Sequence, residues 1–133
     1  MPSIFSRIIA RELPSYPVRE DDRFYAFLDI YPVQPGHTLV VPKVEIDYFF
    51  DLPESILREI WVFSQPIADA LRRVTGCLRV GAVVAGLEVP HAHLHLIPMN
   101  TEADLHLDHR VKAEPEALSA MAEALRKALA SGS

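Results

Sequence analysis

The sequence predicts an α+β fold: an antiparallel sheet with one long central helix and a second helix at the C-terminal end. Three observations predict it. Residues His91 to Ile97 alternate polar and apolar side chains with the period of a strand, apolar residues recur at helical spacing from Ile56 to Val74, and short aromatic or β-branched runs lie on both sides of that helical stretch. Strands grouped around a long helix, rather than strands alternating with helices, mark the α+β class.

Along the chain, Ser3 to Ala10 has the spacing of a short helix with Ile4, Ile8 and Phe5 facing inward, stopped by Pro14 and Pro17. Phe24 to Leu28 and Thr38 to Val41 read as two antiparallel strands, joined by a loop that Pro32, Pro35 and Gly36 punctuate. Asp51 and Glu54 have the spacing of a capping box for the main helix, whose core stripe is Ile56, Ile60, Phe63, Ile67, Leu71 and Val74. Pro66 removes a backbone donor inside that helix and should bend it, and Gly76 is placed to end it. Arg79 to Val84 is a third strand, Gly86 a turn, and His91 to Ile97 a fourth strand bracketed by Pro90 and Pro98. Leu118, Met121, Leu125 and Leu129 then form one stripe of a helix from Glu114 to Ala130.

The chain has 133 residues, enough for one domain with a real core. Residues 1–130 are expected to form it, with Ser131-Gly132-Ser133 as a tail. A formal net charge of -5 argues against charge-driven binding to nucleic acid or to a membrane surface. The single cysteine, Cys77, excludes an internal disulfide and zinc motifs built on paired cysteines. No secretion signal and no apolar run of the ~18 to 20 residues that a membrane span needs is evident, so the cytosol is the expected location.

The chemistry concentrates at His91-Ala92-His93-Leu94-His95-Leu96-Ile97. Alternation in an extended strand puts the three imidazoles on one face and Ala92, Leu94 and Leu96 on the other. Same-face residues recur at about 6.6 to 7 Å, so the row could follow a chain of phosphates. A metal site is the rival reading, because neutral imidazole is a common metal ligand. His106 and His109, interleaved with Asp104 and Asp108, offer another acid and histidine cluster, read here as a solvated loop.

The alternating histidines followed by two aliphatics resemble the His-φ-His-φ-His-φ-φ signature of the histidine triad, or HIT, family. Further stretches resemble its N-terminal half in order and spacing: Ile4-Phe5-Ser6-Arg7-Ile8-Ile9, Glu12-Leu13-Pro14, Glu20-Asp21-Asp22, Ala26-Phe27-Leu28-Asp29-Ile30, and Pro35 through Lys43. The resemblance covers roughly the first hundred residues, by the standard of motif and context together. It implies a HIT-like fold whose sheet is extended by homodimerisation. It also implies a nucleotide hydrolase or transferase acting on an AMP or GMP moiety, with no cofactor and no metal.

By that resemblance His93 is the nucleophile at the α-phosphorus, His95 binds phosphate oxygens, and His91 orients the nucleophile or moves protons. A neutral imidazole has an unshared pair at physiological pH, since its ordinary pKa is ~6.5, and needs no strong base. Asp29 can accept two hydrogen bonds from ribose hydroxyls, and Ile30, with Phe5, Ile8 and Phe27, can wall a base pocket. His37 is read as structural.

Two departures bear on specificity. Glu45 stands in Pro42-Lys43-Val44-Glu45 where many members have a fourth histidine, and a carboxylate there could hydrogen-bond His91 directly. Leu87 and Glu88 replace the residues usual before the triad, and Glu88 would repel a polyphosphate and accept a cationic amine. The favoured reaction is therefore cleavage of a purine nucleoside monophosphate from an amine or phosphate leaving group. Dinucleoside polyphosphate cleavage and a low-turnover nucleotide-binding sensor are the alternatives.

Overall fold

In the computed structural model, which describes residues 2–131, helix α1 (Ile4–Ile9) precedes strands β1 (Pro17–Glu20), β2 (Phe24–Leu28) and β3 (Thr38–Pro42). A single turn of 3-10 helix at Phe49–Asp51 leads into helix α2 (Glu54–Thr75), strand β4 (Arg79–Val83), strand β5 (Leu94–Met99), a second 3-10 turn at Glu102–Leu105, and helix α3 (Pro115–Ala130). Gly132 and Ser133, most of the expected tail, lie outside the described residues. The strands pair antiparallel throughout, in the order β1-β2-β3-β5-β4.

Each face of the sheet has its own cover. Phe24, Ala26 and Leu28 of β2, Val40 of β3, and Leu94 and Leu96 of β5 pack with Ile60, Phe63, Ile67 and Leu71 of α2 and Leu118 and Leu125 of α3. On the opposite face Tyr25, Phe27, Leu39 and Val41 pack with Phe5 of α1. β2 and β3 are therefore buried on both faces, so their sequences read as continuous apolar runs rather than alternations. Among the described residues no helix is long and apolar enough to cross a membrane.

Several sequence expectations need correction. β1 was not expected, because Pro17, Arg19 and Glu20 are poor strand residues and only Val18 is buried; as an edge strand it tolerates them. Phe5 is the buried residue of α1, whereas Ile4 is half exposed, because a helix this short can aim only one large side chain at the sheet. Asp51 does not cap α2. It sits in the 3-10 turn, donating its N–H to the Tyr48 carbonyl, and Pro53 precedes the helix with no side-chain cap.

α2 runs unbroken through Pro66 for 22 residues and ends as expected at Gly76, whose φ of +72° suits a residue without Cβ and whose N–H donates to the Arg72 carbonyl. β5 starts at Leu94 rather than His91 and passes through Pro98 to Met99. Pro98 fits because the β3 ladder ends at Thr38 opposite Leu96, and beyond it β5 pairs only with β4. Gly81 of β4 makes room for the 3-10 turn above it, where an added Cβ would stand 2.5 Å from Leu105 Cδ2.

Candidate active site

The three triad histidines are brought to the α1 face of the sheet by two different local structures. His95 belongs to β5, opposite Leu39 of β3 and Val83 of β4. His91 and His93 lie in the extended segment that enters the strand. There Ala92 donates its N–H to the Ile46 carbonyl at 2.7 Å, and the His91 ring, not a backbone amide, bonds the Pro42 carbonyl at 2.7 Å. That substitution of a side chain for a ladder bond is why the strand begins later than the alternation suggests. Ala92, Leu94 and Leu96 point to the opposite face and join the main core, as the alternation requires.

Hydrogen-bond partners fix the tautomers of the three triad rings and of His37. The Pro42 carbonyl can only accept, so His91 Nε2 donates to it, and His91 Nδ1 accepts from Ser3 Oγ at 2.7 Å. His93 Nδ1 donates to the His91 carbonyl at 2.7 Å, which leaves the unshared pair on His93 Nε2. The Val33 N–H donates to His37 Nδ1 at 3.1 Å, so His37 carries its hydrogen on Nε2 and donates it to His95 Nδ1 at 2.9 Å. His95 then carries its own hydrogen on Nε2. Two neighbouring rings, with centroids 5.0 Å apart, thus present a basic nitrogen and a donor nitrogen.

Neither of those Nε2 atoms has a partner among the described residues, and no side-chain nitrogen or oxygen sealed from solvent lacks one. Both atoms therefore reach open space. Burial pushes the His95 imidazolium down to about 3 and that of His37 to about 4, and it lowers His93 as well. Desolvation is the leading cause in all three, so the rings are neutral at physiological pH.

The open space is a cavity of about 430 Å³. His93 and His95 line it, and so do all six residues singled out for base, ribose and leaving group: Phe5, Ile8, Phe27, Asp29, Ile30 and Glu88. The Phe5 ring meets His93 edge-on with centroids 5.0 Å apart. Asp29 is 9% exposed; its Oδ1 accepts the Tyr31 N–H at 2.9 Å and its Oδ2 accepts from Arg110 at 2.8 Å. His91 does not line the cavity, since its ring is fully buried with both nitrogens bound.

Glu45 does not touch His91, contrary to the expectation of a direct bond. Its Oε1 accepts the Ser3 N–H at 2.8 Å and the Ser6 hydroxyl at 2.5 Å, and the serine hydroxyls reach the imidazole, Ser3 Oγ at 2.7 Å and Ser6 Oγ at 3.5 Å. The start of α1 intervenes, with Ser3 Oγ also capping the helix by accepting the Ser6 N–H at 3.0 Å. Those two bonds hold the Glu45 carboxyl below its usual range, the Ser3 amide contributing most.

Sequence reasoning missed Ser3, Ser6 and Arg110. A serine three residues before another at a helix start was a readable cap signal, but nothing in the sequence tied it to His91. Arg110 follows the His106-to-His109 loop and gave no signal of its own. Two groups have metal-ligating atoms within 4.8 Å of one another: Asp29, His37 and His95, and the exposed His106, Asp108 and His109. In the first the ring nitrogens bond each other and the carboxylate is held by Arg110, so a metal would have to break those contacts.

Comparison with known proteins identifies the family and the fold. The family model of the HIT domain matches residues 10–102. An uncharacterized HIT-like protein of Borreliella burgdorferi is 39% identical over 102 residues, 71% of this chain and 73% of that protein. Adenosine 5'-monophosphoramidase HNT1 of Saccharomyces cerevisiae is 37% identical over 100 residues, which span 74% of this chain and 63% of the yeast protein. The crystal structure of a Hit-like protein involved in cell-cycle regulation from Bartonella henselae superposes with a TM-score of 0.85 at 32% identity, covering 95% of both chains. With the family's domain matched over residues 10–102 and its fold reproduced over 95% of the chain, this chain belongs to the HIT family.

Proposed function

We propose that the protein is a nucleotide hydrolase that cleaves a purine nucleoside monophosphate from an amine or phosphate leaving group through a covalent nucleotidyl-His93 intermediate. The observation that carries this reading is the bond from His93 Nδ1 to the His91 carbonyl, which leaves a lone pair on Nε2 beside the Nε2–H of His95, at the wall of a nucleotide-sized cavity. His93 Nε2 forms the bond to the α-phosphorus as the bond to the leaving group breaks, and a leaving amine takes up a proton from water. The adduct is an imidazolium, and its Nδ1–H still donates to the His91 carbonyl. Water then attacks phosphorus, the P–N bond breaks, and the monophosphate and neutral His93 are released, while the water's second proton passes to solvent and balances the one the amine took up.

Charge grows on the phosphate oxygens in both steps, and a donor preorganised in a buried site stabilises it. His95 supplies that donor. His91 orients the nucleophile through its carbonyl, with Ser3 and Glu45 behind its ring. Asp29 binds the ribose hydroxyls, Phe5, Ile8, Phe27 and Ile30 enclose the base, and Glu88 favours a cationic amine as leaving group. Their common lining of one cavity supports these roles, and the yeast relative's phosphoramidase activity supports the reaction class. A cytosolic homodimer in which the sheet is extended across the two subunits completes the reading.

Turnover tests it. The purified protein is expected to release AMP from adenosine 5'-phosphoramidate faster than from a diadenosine polyphosphate, and His93→Ala to release none. A wild-type protein that hydrolyses neither compound overturns the proposal.

A further inference from the structure

Arg110 stands between the two carboxylates of the cavity. Its Nη1 donates to Asp29 Oδ2 at 2.8 Å and to the Tyr31 carbonyl at 3.2 Å, its Nε donates to the Leu107 carbonyl at 3.0 Å, and its Nη2 lies 3.3 Å from Glu88 Oε1. The arginine side chain is only 20% exposed, whereas that of Glu88 is 73% exposed. The Asp29 side of the fork is thus the firm one, and the Glu88 pair is a weakly held, solvent-facing contact. The guanidinium is also close enough to His95 and His37 to oppose their protonation.

A merely structural reading of Arg110 would have it pin the segment after the triad to the rest of the fold. That segment already has its own ties: Ala113 donates to the Ile30 carbonyl at 3.0 Å and Val111 to the Pro32 carbonyl at 3.4 Å. What the arginine adds is control of a carboxylate. Asp29 Oδ1 is held by the Tyr31 amide and Oδ2 by Arg110, so both oxygens are fixed while about half of the roughly four lone-pair sites of a carboxylate remain for other donors. A rigid, planar fork anchored on two further carbonyls can set that orientation; a lysine, with one ammonium on a flexible stem, cannot contact all of these acceptors at once.

We propose that Arg110 is a positioning residue for Asp29 and, through it, a determinant of ribose recognition, an inference that rests on the nucleotide-hydrolase reading above. Arg110 holds the carboxylate so that its remaining lone pairs meet the ribose hydroxyls of the bound nucleotide.

The test compares adenosine 5'-phosphoramidate with its 2',3'-dideoxy analogue. Hydrogen bonds to a charged group are worth about 1.5 to 3 kcal/mol, so the wild type should prefer the ribose substrate by roughly 10- to 100-fold in kcat/KM. Arg110→Met should lose most of that preference, through a higher KM for the ribose substrate with little change for the dideoxy compound, and Arg110→Lys should fall between. Should Arg110→Met fail to fold, the ratio in Arg110→Lys decides. Variants that slow on both substrates by one factor, keeping the ribose preference, overturn this inference and leave the hydrolase reading standing. A wild type that turns over both compounds equally removes the ribose role of Asp29, and this inference with it. One that turns over neither removes the hydrolase reading itself.

Discussion

Replacing His37 by asparagine or by glutamine separates the two bonds its ring makes. The asparagine oxygen falls near the position of Nδ1 and can accept the Val33 N–H, whereas the glutamine amide nitrogen falls near Nε2 and can donate to His95. Asparagine removes one methylene more than glutamine from a site 1% exposed, so it carries an extra cavity cost of about 1 kcal/mol in stability, and the comparison rests on rate and tautomer rather than on the urea midpoint alone. Asparagine leaves His95 Nδ1 without its donor in a residue 3% exposed, and an unsatisfied buried group costs about 1 to 3 kcal/mol. His95 also loses the partner that fixes its tautomer, so its Nε2–H is no longer held toward phosphate. A charge-assisted donor is worth about 1.5 to 3 kcal/mol, so kcat for a nucleoside phosphoramidate should fall roughly 10- to 100-fold in His37→Asn and less in His37→Gln. Urea midpoints report the stability, steady-state kinetics the rate, and the ring 15N shifts of His95 the tautomer. Equal rates in the two variants, or a faster His37→Asn, would refute the relay from Val33 through His37 to His95.

Acid should act on both stability and rate. Unfolded histidine titrates near ~6.5, while His37 and His95 in the fold titrate at about 4 and about 3. Between those limits the unfolded chain binds more protons, so stability rises with pH across the window and falls on acidification; urea midpoints that stay flat from pH 7 to 4.5 would contradict this. Because burial lowers His93, its neutral form persists below pH 6.5, and the acid limb of kcat/KM is expected below that value; a limb above it would contradict the proposed role of a buried, neutral His93. Ser3→Ala should destabilise by about 1 to 3 kcal/mol, since it removes the nearer partner of a fully buried His91 Nδ1, leaving only Ser6 Oγ at 3.5 Å, and removes the α1 cap, whereas Glu45→Gln, which keeps an acceptor for both serines, should cost less. A larger effect of Glu45→Gln on stability or on the acid limb would restore a direct role for the carboxylate at His91.

How much of this was legible in the sequence depended on whether one segment carried the signal by itself. The stripe from Ile56 to Val74 and the alternation of Ala92, Leu94 and Leu96 are periodic within one element, and both were read correctly. β1 escaped because an edge strand with one buried residue has almost no pattern. At the site, six residues named through the family resemblance line one cavity with His93 and His95, whereas Leu13, Pro14, Tyr31, Val89 and Arg110 of the same wall were not named as part of it. The relays were not found. Ser3 meets His91 across 88 positions, Glu45 meets Ser3 across 42, and Arg110 meets Asp29 across 81. Such pairings arise from the packing of α1 and of the segment after the triad against the sheet, and no local spacing announces them. His37 was expected to be structural; its burial fits that, but its bond to His95 gives it a place behind the site.

The central claim is that His93 carries the nucleotide. Rapid acid-free quenching of turnover with a labelled adenosine phosphoramidate, followed by peptide mapping, tests it most directly. The expected result is an acid-labile adenylyl adduct on the peptide containing His93, absent from His93→Ala together with all turnover. Normal turnover by His93→Ala, or an adduct mapped to His95, would contradict the account.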